Sequence, residues 1–202
     1  PLLVANSFQE NKFMNSLWVK YPGLRIARGW DPFETAICTV LGQLVSVKQA
    51  KNLVHQLVTQ YGEKIKNPST DEERYLFPEA KVLAKSDLSE CKTTTSRKKS
   101  IREIASLVVQ KKLDLVNPQD VDRLKEQLLN ISGIGPWSAE YIGLRALGNA
   151  DAFPGTDLIL KRAMDLHPDL NLDKIRPWRS YAAIYLWKHY AESLSNQKKG
   201  TK

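Results

Sequence analysis

Residues 128–139 read LLNISGIGPWSA, and the fold turns on how this stretch is read. Gly133 and Gly135 bracket one apolar residue, Ile134, between two runs whose apolar positions recur with the helical period. No strand pattern precedes them, so they do not belong to the strand–loop–helix of a dinucleotide or nucleoside triphosphate site. The stretch predicts helix, tight hairpin, helix. Glycine gives the turn backbone conformations that other residues avoid and lets a ligand come close. Pro136 stands where the second helix begins, a position that needs no amide hydrogen. The free N–H groups there favour an anion. With 30 Lys and Arg against 22 Asp and Glu, net charge +8, a nucleic-acid phosphate is the first candidate. An ordinary helix–helix turn is the competing reading of Gly-x-Gly-Pro.

The helical period continues on both sides of the hairpin. Residues 7–21 carry Phe8, Phe13, Leu17 and Tyr21 on one side. Asp31-Pro32-Phe33-Glu34 combines a capping residue, a first-turn proline and a glutamate three after the cap. The helix it opens, to about residue 42, is apolar nearly all round, as a central buried helix should be. Ser46 and Gln49 repeat the capping pattern and open a helix to Tyr61; residues 67–77 form a polar connection. Short helices are expected near 78–85 and 87–91, then a longer one over 96–111. Residues 120–130 lead into the hairpin, 136–147 follow it, and 158–166 and 177–194 complete the chain's helices. No alternating strand pattern and no repeat stands out, so the expected fold is all-α with about ten helices. The 202 residues suffice for one domain or two small lobes. Two cysteines, Cys38 and Cys91, suggest a reducing compartment and cannot supply the four thiolates of an iron–sulfur cluster. No apolar run has the length of a membrane span, and the PLLVANSF start is too short for a secretory signal. A soluble protein of the cell interior is expected.

Four stretches occur in a telling order: VLGQLVSV (40–47), the hairpin, FPGTD (153–157) and PWRSYA (177–182). Together they resemble the helix-hairpin-helix superfamily of base-excision DNA glycosylases, nearest to its bacterial 3-methyladenine DNA glycosylase II branch. The resemblance spans about residues 22–189. It implies two lobes with the active cleft between them. One is a six-helix barrel over 31–149 that includes the helix-hairpin-helix at 129–147. The other joins 1–30 to 150–202, and the crossover 149–157 carries the catalytic aspartate. The branch's N-terminal α/β domain has no counterpart in this sequence, and CKTTTSRKK at 91–99 replaces the usual Leu-Gly turn of a DNA-facing loop.

The resemblance also implies the chemistry, in which a base leaves the duplex stack before its bond to the sugar is attacked. Amides around Gly133 and Gly135, with the Ser138 hydroxyl, would grip a phosphate. The carbonyls of Leu129, Ile131 and Ile134 would hold a monovalent cation, Na+ or K+, and catalysis itself needs no cofactor. Leu44 is the expected wedge into the vacated base step, with Gln43 beside it as reader of the orphaned base. By itself, a leucine at that position reads as core. Trp137, Tyr141 and Trp178 are the expected stacking surfaces for an electron-deficient alkylated purine, with Trp30 as a lesser wall. Trp137 and Tyr141 share a helix face, the usual mark of core aromatics as well. Trp137 also stands where bifunctional relatives carry a nucleophilic lysine, so no strand-cleaving lyase activity is expected. Asp157 reads first as a helix cap, and a cap can also be a catalytic carboxylate because helix amides keep it ionised. At about 4 Å from a developing sugar cation it would contribute roughly 4 kcal/mol at an effective dielectric near 20, about a thousandfold in rate.

The expected function is monofunctional hydrolytic excision of alkylated purines such as 3-methyladenine from double-stranded DNA, in base-excision repair. The chain is expected to act as a monomer without membrane contact, in the cytoplasm at the nucleoid if bacterial. A non-catalytic helix-hairpin-helix DNA-binding module and a glycosylase for another lesion are the alternatives. Asp157 with Trp137 and Trp178 favours an enzyme, because a pure binder needs neither a carboxylate nor a stacking pocket.

Overall fold

A computed structural model describes residues 2–199, with side chains to Leu194. Ten α-helices follow one another: α1 (Leu2–Gln9), α2 (Lys12–Lys20), α3 (Pro32–Leu41), α4 (Val47–Tyr61), α5 (Ala80–Lys85), α6 (Thr95–Val109), α7 (Val121–Leu129), α8 (Pro136–Ile142), α9 (Leu158–Asp165) and α10 (Arg179–Lys199). The fold is all-α among the described residues but for one antiparallel hairpin, β1 (Lys64–Lys66) with β2 (Glu73–Tyr75), whose residues are all exposed. The polar connection expected over 67–77 therefore contains a strand. Three-residue strands with no buried face leave no alternating apolar signal to read.

The expected caps form. Asp31 accepts a bond from Glu34 N at 2.7 Å. Ser46 and Gln49 make both bonds of a capping box. The single helical run expected over 7–21 is instead two helices, because Asn11 starts a new one by accepting from Met14 N at 3.0 Å. Residues 87–91 do not form a helix. Leu88 takes a left-handed φ of +57°, and the Asp87 and Ser86 side chains bind the local amides that a helix would have used.

Two apolar clusters organise the molecule. The first packs α3, α4, α6, α7 and α8 around Ile37, Leu41, Leu57, Ile101, Ile104 and Leu128, all essentially buried. The second joins both ends of the chain: Val4, Phe8, Met14 and Leu17 meet Leu160, Ala163 and residues 182–186 of α10. α8 runs on into a π-helical turn, Gly143–Leu147, in which Ala146 packs in the first cluster and Leu144 in the second. Ion pairs of Asp151 with Arg176 and Arg179, at 2.6 and 2.7 Å, fasten the 149–157 crossover to the start of α10.

Candidate DNA-binding face and active site

The hairpin is built as its sequence dictates. Gly133 has φ +86°, and a Cβ there would lie 2.5 Å from Ser100 Oγ, so both conformation and space require glycine. Gly135 caps α8 with φ −96° and has nothing within 4 Å of where a Cβ would stand. Ile131 O accepts from Ile134 N at 3.0 Å and closes the turn. Among the described residues the amides of Gly133 and Gly135 donate to no acceptor, and both glycines are exposed. The arrangement offers two free N–H groups to an anion. Of the three carbonyls expected to hold a cation, those of Leu129 and Ile134 accept no bond among the described residues, and that of Ile131 keeps its second lone pair. Three neutral backbone oxygens on one turn fit a hard monovalent cation. No group of three His, Cys, Asp or Glu among the described residues could hold a metal ion.

Leu44 stands at the junction of α3 and α4, wholly exposed and with φ +52°. A leucine held left-handed and in water costs about 1–2 kcal/mol in backbone strain and recovers nothing by burial. The structure therefore removes Leu44 from the core, its default place. Gln43 does not reach outward with it. Its amide donates to Gly133 O at 2.9 Å and to Ser138 Oγ at 2.8 Å, and Ser138 is buried. Both side chains are thus held within the protein, joining α3 to the hairpin, and both line the cavity that Leu44 and Asp157 share.

Asp157 caps α9, with Oδ1 accepting from Ile159 N and Leu160 N, each at 3.0 Å. Two indoles complete its setting: Trp187 Nε1 donates to Oδ1 and Trp137 Nε1 to Oδ2, both at 3.0 Å. Four N–H groups thus fix the half-buried carboxylate, and Oδ2, with a single partner, keeps acceptor capacity. Asp157 lines a cavity of about 610 Å³ with Trp137, Leu44, Gly133 and Ser138. A larger, mostly apolar cavity of about 850 Å³ shares Trp137 with it and is walled by Trp137, Tyr141, Arg145 and helices α3 and α4. Fully exposed Trp30 stands at its rim. Trp137 and Tyr141 stack at 5.0 Å between ring centres, and Trp187 lies 6.0 Å from Tyr141. Cys38 also lines the larger cavity, but burial and the Glu34 charge push its thiol up to about 12, so it offers no thiolate.

Trp178 lines neither cavity; it packs edge-on to Tyr181 at 6.2 Å, half-buried against the second cluster. The tryptophan of this segment that reaches Asp157 is Trp187, nine positions later. Trp178 lies just before α10 and packs on Tyr181, while Trp187, more than two helical turns into α10, is the one that meets Asp157. PWRSYA marks the start of α10, and only the assembled fold reveals which of its faces meets α9.

The chain is similar to members of the helix-hairpin-helix DNA glycosylase superfamily. Within it, the sequence is 36% identical over 202 residues to the probable bifunctional transcriptional activator/DNA repair enzyme AlkA of Mycobacterium tuberculosis, matching 93% of this chain and 39% of that protein. It is 31% identical over 188 residues to DNA-3-methyladenine glycosylase 2 of Escherichia coli, matching 88% of this chain and 64% of the other. The chain thus spans about two-fifths to just under two-thirds of the length of these relatives. Its fold is shared with a 3-methyladenine DNA glycosylase from Archaeoglobus fulgidus, TM-score 0.75 and 22% identity, over 95% of this chain and 70% of that one. No protein-family model matches the chain.

Proposed function

We propose that this chain flips alkylated purines out of duplex DNA and hydrolyses their bond to deoxyribose. The observation that carries the proposal is the Asp157 carboxylate, held by Trp137 and Trp187 on the wall of a cavity that also contains the exposed Leu44. The free amides of Gly133 and Gly135 take a backbone phosphate, which positions the duplex without reading its sequence. The hairpin carbonyls of Leu129, Ile131 and Ile134 would hold a monovalent cation, adding positive charge where the phosphate sits. Leu44 enters the step vacated by the base and recovers part of the lost stacking, a few kcal/mol by order of magnitude.

The flipped purine stacks on Trp137 and Tyr141, whose electron-rich faces suit a ring made electron-poor by alkylation. As the C1′–N bond breaks, its electron pair leaves with the base and positive charge grows on the sugar. Asp157 opposes that charge. Water then supplies the oxygen to C1′, and its proton passes to solvent. The carboxylate's share, about a thousandfold by the Coulomb estimate, suffices only where alkylation has already activated the leaving base. Trp137 offers an indole where a Schiff-base reaction needs an amine, so the reaction ends at the abasic site without strand cleavage.

Incubation of the purified chain with methylated duplex DNA, followed by chromatography of released bases, tests the reading. Free alkylated purine is expected, with no borohydride-trapped protein–DNA adduct. Duplex binding without base release would favour a non-catalytic DNA-binding module.

A further inference from the structure

Arg97 lines neither cavity and takes part in no step above, yet it fastens the turn that carries Leu44. Thr94 caps α6, its hydroxyl accepting from Arg97 N at 3.3 Å. The guanidinium donates through one nitrogen to Thr93 Oγ1 at 3.4 Å and through another to the Gln43 carbonyl. That carbonyl belongs to the peptide joining Gln43 to Leu44. Rotation of this one plane changes Leu44 φ, and the left-handed φ is what carries the exposed side chain outward. Leucine resists that conformation, so the turn keeps it only while its surroundings hold it. A cationic donor on a carbonyl is among the stronger holds a side chain can supply.

The Gln43 side chain continues the connection, through Gly133 O and Ser138 Oγ. One helical turn beyond Arg97, Ser100 Oγ donates to Ser132 O at 2.6 Å. Residues near 43, 97 and 133 thus form one hydrogen-bonded unit, assembled from three distant parts of the chain.

We propose that Arg97 is a positioning residue for base flipping: it locks the Gln43–Leu44 peptide so that the wedge stands ready and stays in register with the phosphate-gripping hairpin. The proposal rests on the glycosylase reading above and adds that Arg97 acts through Leu44.

Arg97→Met keeps the aliphatic stem and removes the fork; Arg97→Lys keeps the charge without the fork. Single-turnover base release is measured for one alkylated purine in a fully paired duplex and in the same duplex with a small unpaired bubble around the lesion. Arg97→Met is expected to lower release from the paired duplex at least tenfold more than release from the bubble, with Arg97→Lys in between. Combining Arg97→Met with Leu44→Ala should lose no more than Leu44→Ala alone, since both remove the same wedge. Equal losses on the two substrates, or losses that multiply in the double variant, would overturn the proposal. Should Arg97→Met melt early, Arg97→Lys carries the same comparisons. A wild-type protein that releases no base from either substrate refutes the glycosylase reading instead. Fluorescence of 2-aminopurine beside the lesion then tests Arg97 separately: an unchanged flipping signal in Arg97→Met would count against it.

Discussion

Asp157 combines two roles that usually lie apart, helix cap and charged wall of a cavity. Asp157→Asn separates them. The amide oxygen can still accept from Ile159 N, Leu160 N and Trp187, so α9 keeps its cap. Its NH2 group then faces the Trp137 N–H, and one hydrogen bond is lost at a cost of about 1 kcal/mol. Base release should fall about a thousandfold, because the amide has no charge to set against the sugar cation. Melting curves beside single-turnover release check this; wild-type release in a folded Asp157→Asn protein would reduce Asp157 to a cap. The two tryptophans of the α10 segment give a second contrast. Trp187→Phe removes one charge-assisted bond to Asp157, which is worth about 1.5–3 kcal/mol, and should slow release by about ten- to a hundredfold. Trp178→Phe should lower stability modestly and leave release per folded molecule near wild type. The reverse ranking in the same assay would return Trp178 to the site.

The two hairpin glycines look equivalent in sequence and differ in structure. Gly133→Ala meets a left-handed φ and Ser100 Oγ at 2.5 Å. It should destabilise by about 2 kcal/mol or more, from backbone strain and displacement of Ser100. Gly135→Ala meets neither, so the fold should survive it, and reduced duplex affinity would report the phosphate contact directly. Equal melting temperatures for the two variants would contradict this hairpin geometry. Much of the element plan was legible beforehand because its signals are local: Asp31-Pro32 and the Ser46–Gln49 box start helices wherever they are placed. Asp157 was legible as a cap from its local motif, whereas its catalytic role and the role of Trp137 came from the family resemblance alone. Trp187 could not be named, because its meeting with Asp157 depends on how α10 lies against α9, a long-range outcome without a local signature. Gln43 and Ser138 were visible as polar residues near the turn, but their direction was not. Different rotamers leave the same trace in a sequence, and the partners that fix Gln43 lie ninety and ninety-five residues further along the chain.

At the scale of the whole molecule, stability should depend on pH through the second cluster. Phe13 stacks on His167 at 3.4 Å and meets His189 edge-on at 5.4 Å. His189 Nδ1 is buried without a partner. Burial lowers both imidazoles below their ordinary value of 6.5; His189 adds to the effect on His167, and Lys20 to that on His189, with Glu192 opposing. The unfolded chain therefore protonates these histidines first. Their contribution is complete above about pH 6.5 and declines as the pH falls below it, until the folded state takes up the protons as well. The melting temperature should fall between pH 7 and pH 5.5, and the slope should flatten in a His167→Gln/His189→Gln protein; an unchanged slope would place the titration elsewhere. The same cluster also constrains how the protein is made. Val4, Phe8, Met14 and Leu17 wait for residues 182–186, and the ribosome adds some 165 residues between Tyr21 and Leu186. At about 5–20 residues per second that delay lasts roughly 8 to 33 seconds, during which the first helices carry an uncovered apolar face. The first cluster needs nothing beyond Leu147 and can close meanwhile. A chain that ended at residue 170 would hold a finished hairpin and an Asp157 still lacking its Trp187, so synthesis adds the carboxylate's last partner only after the DNA-gripping half is complete.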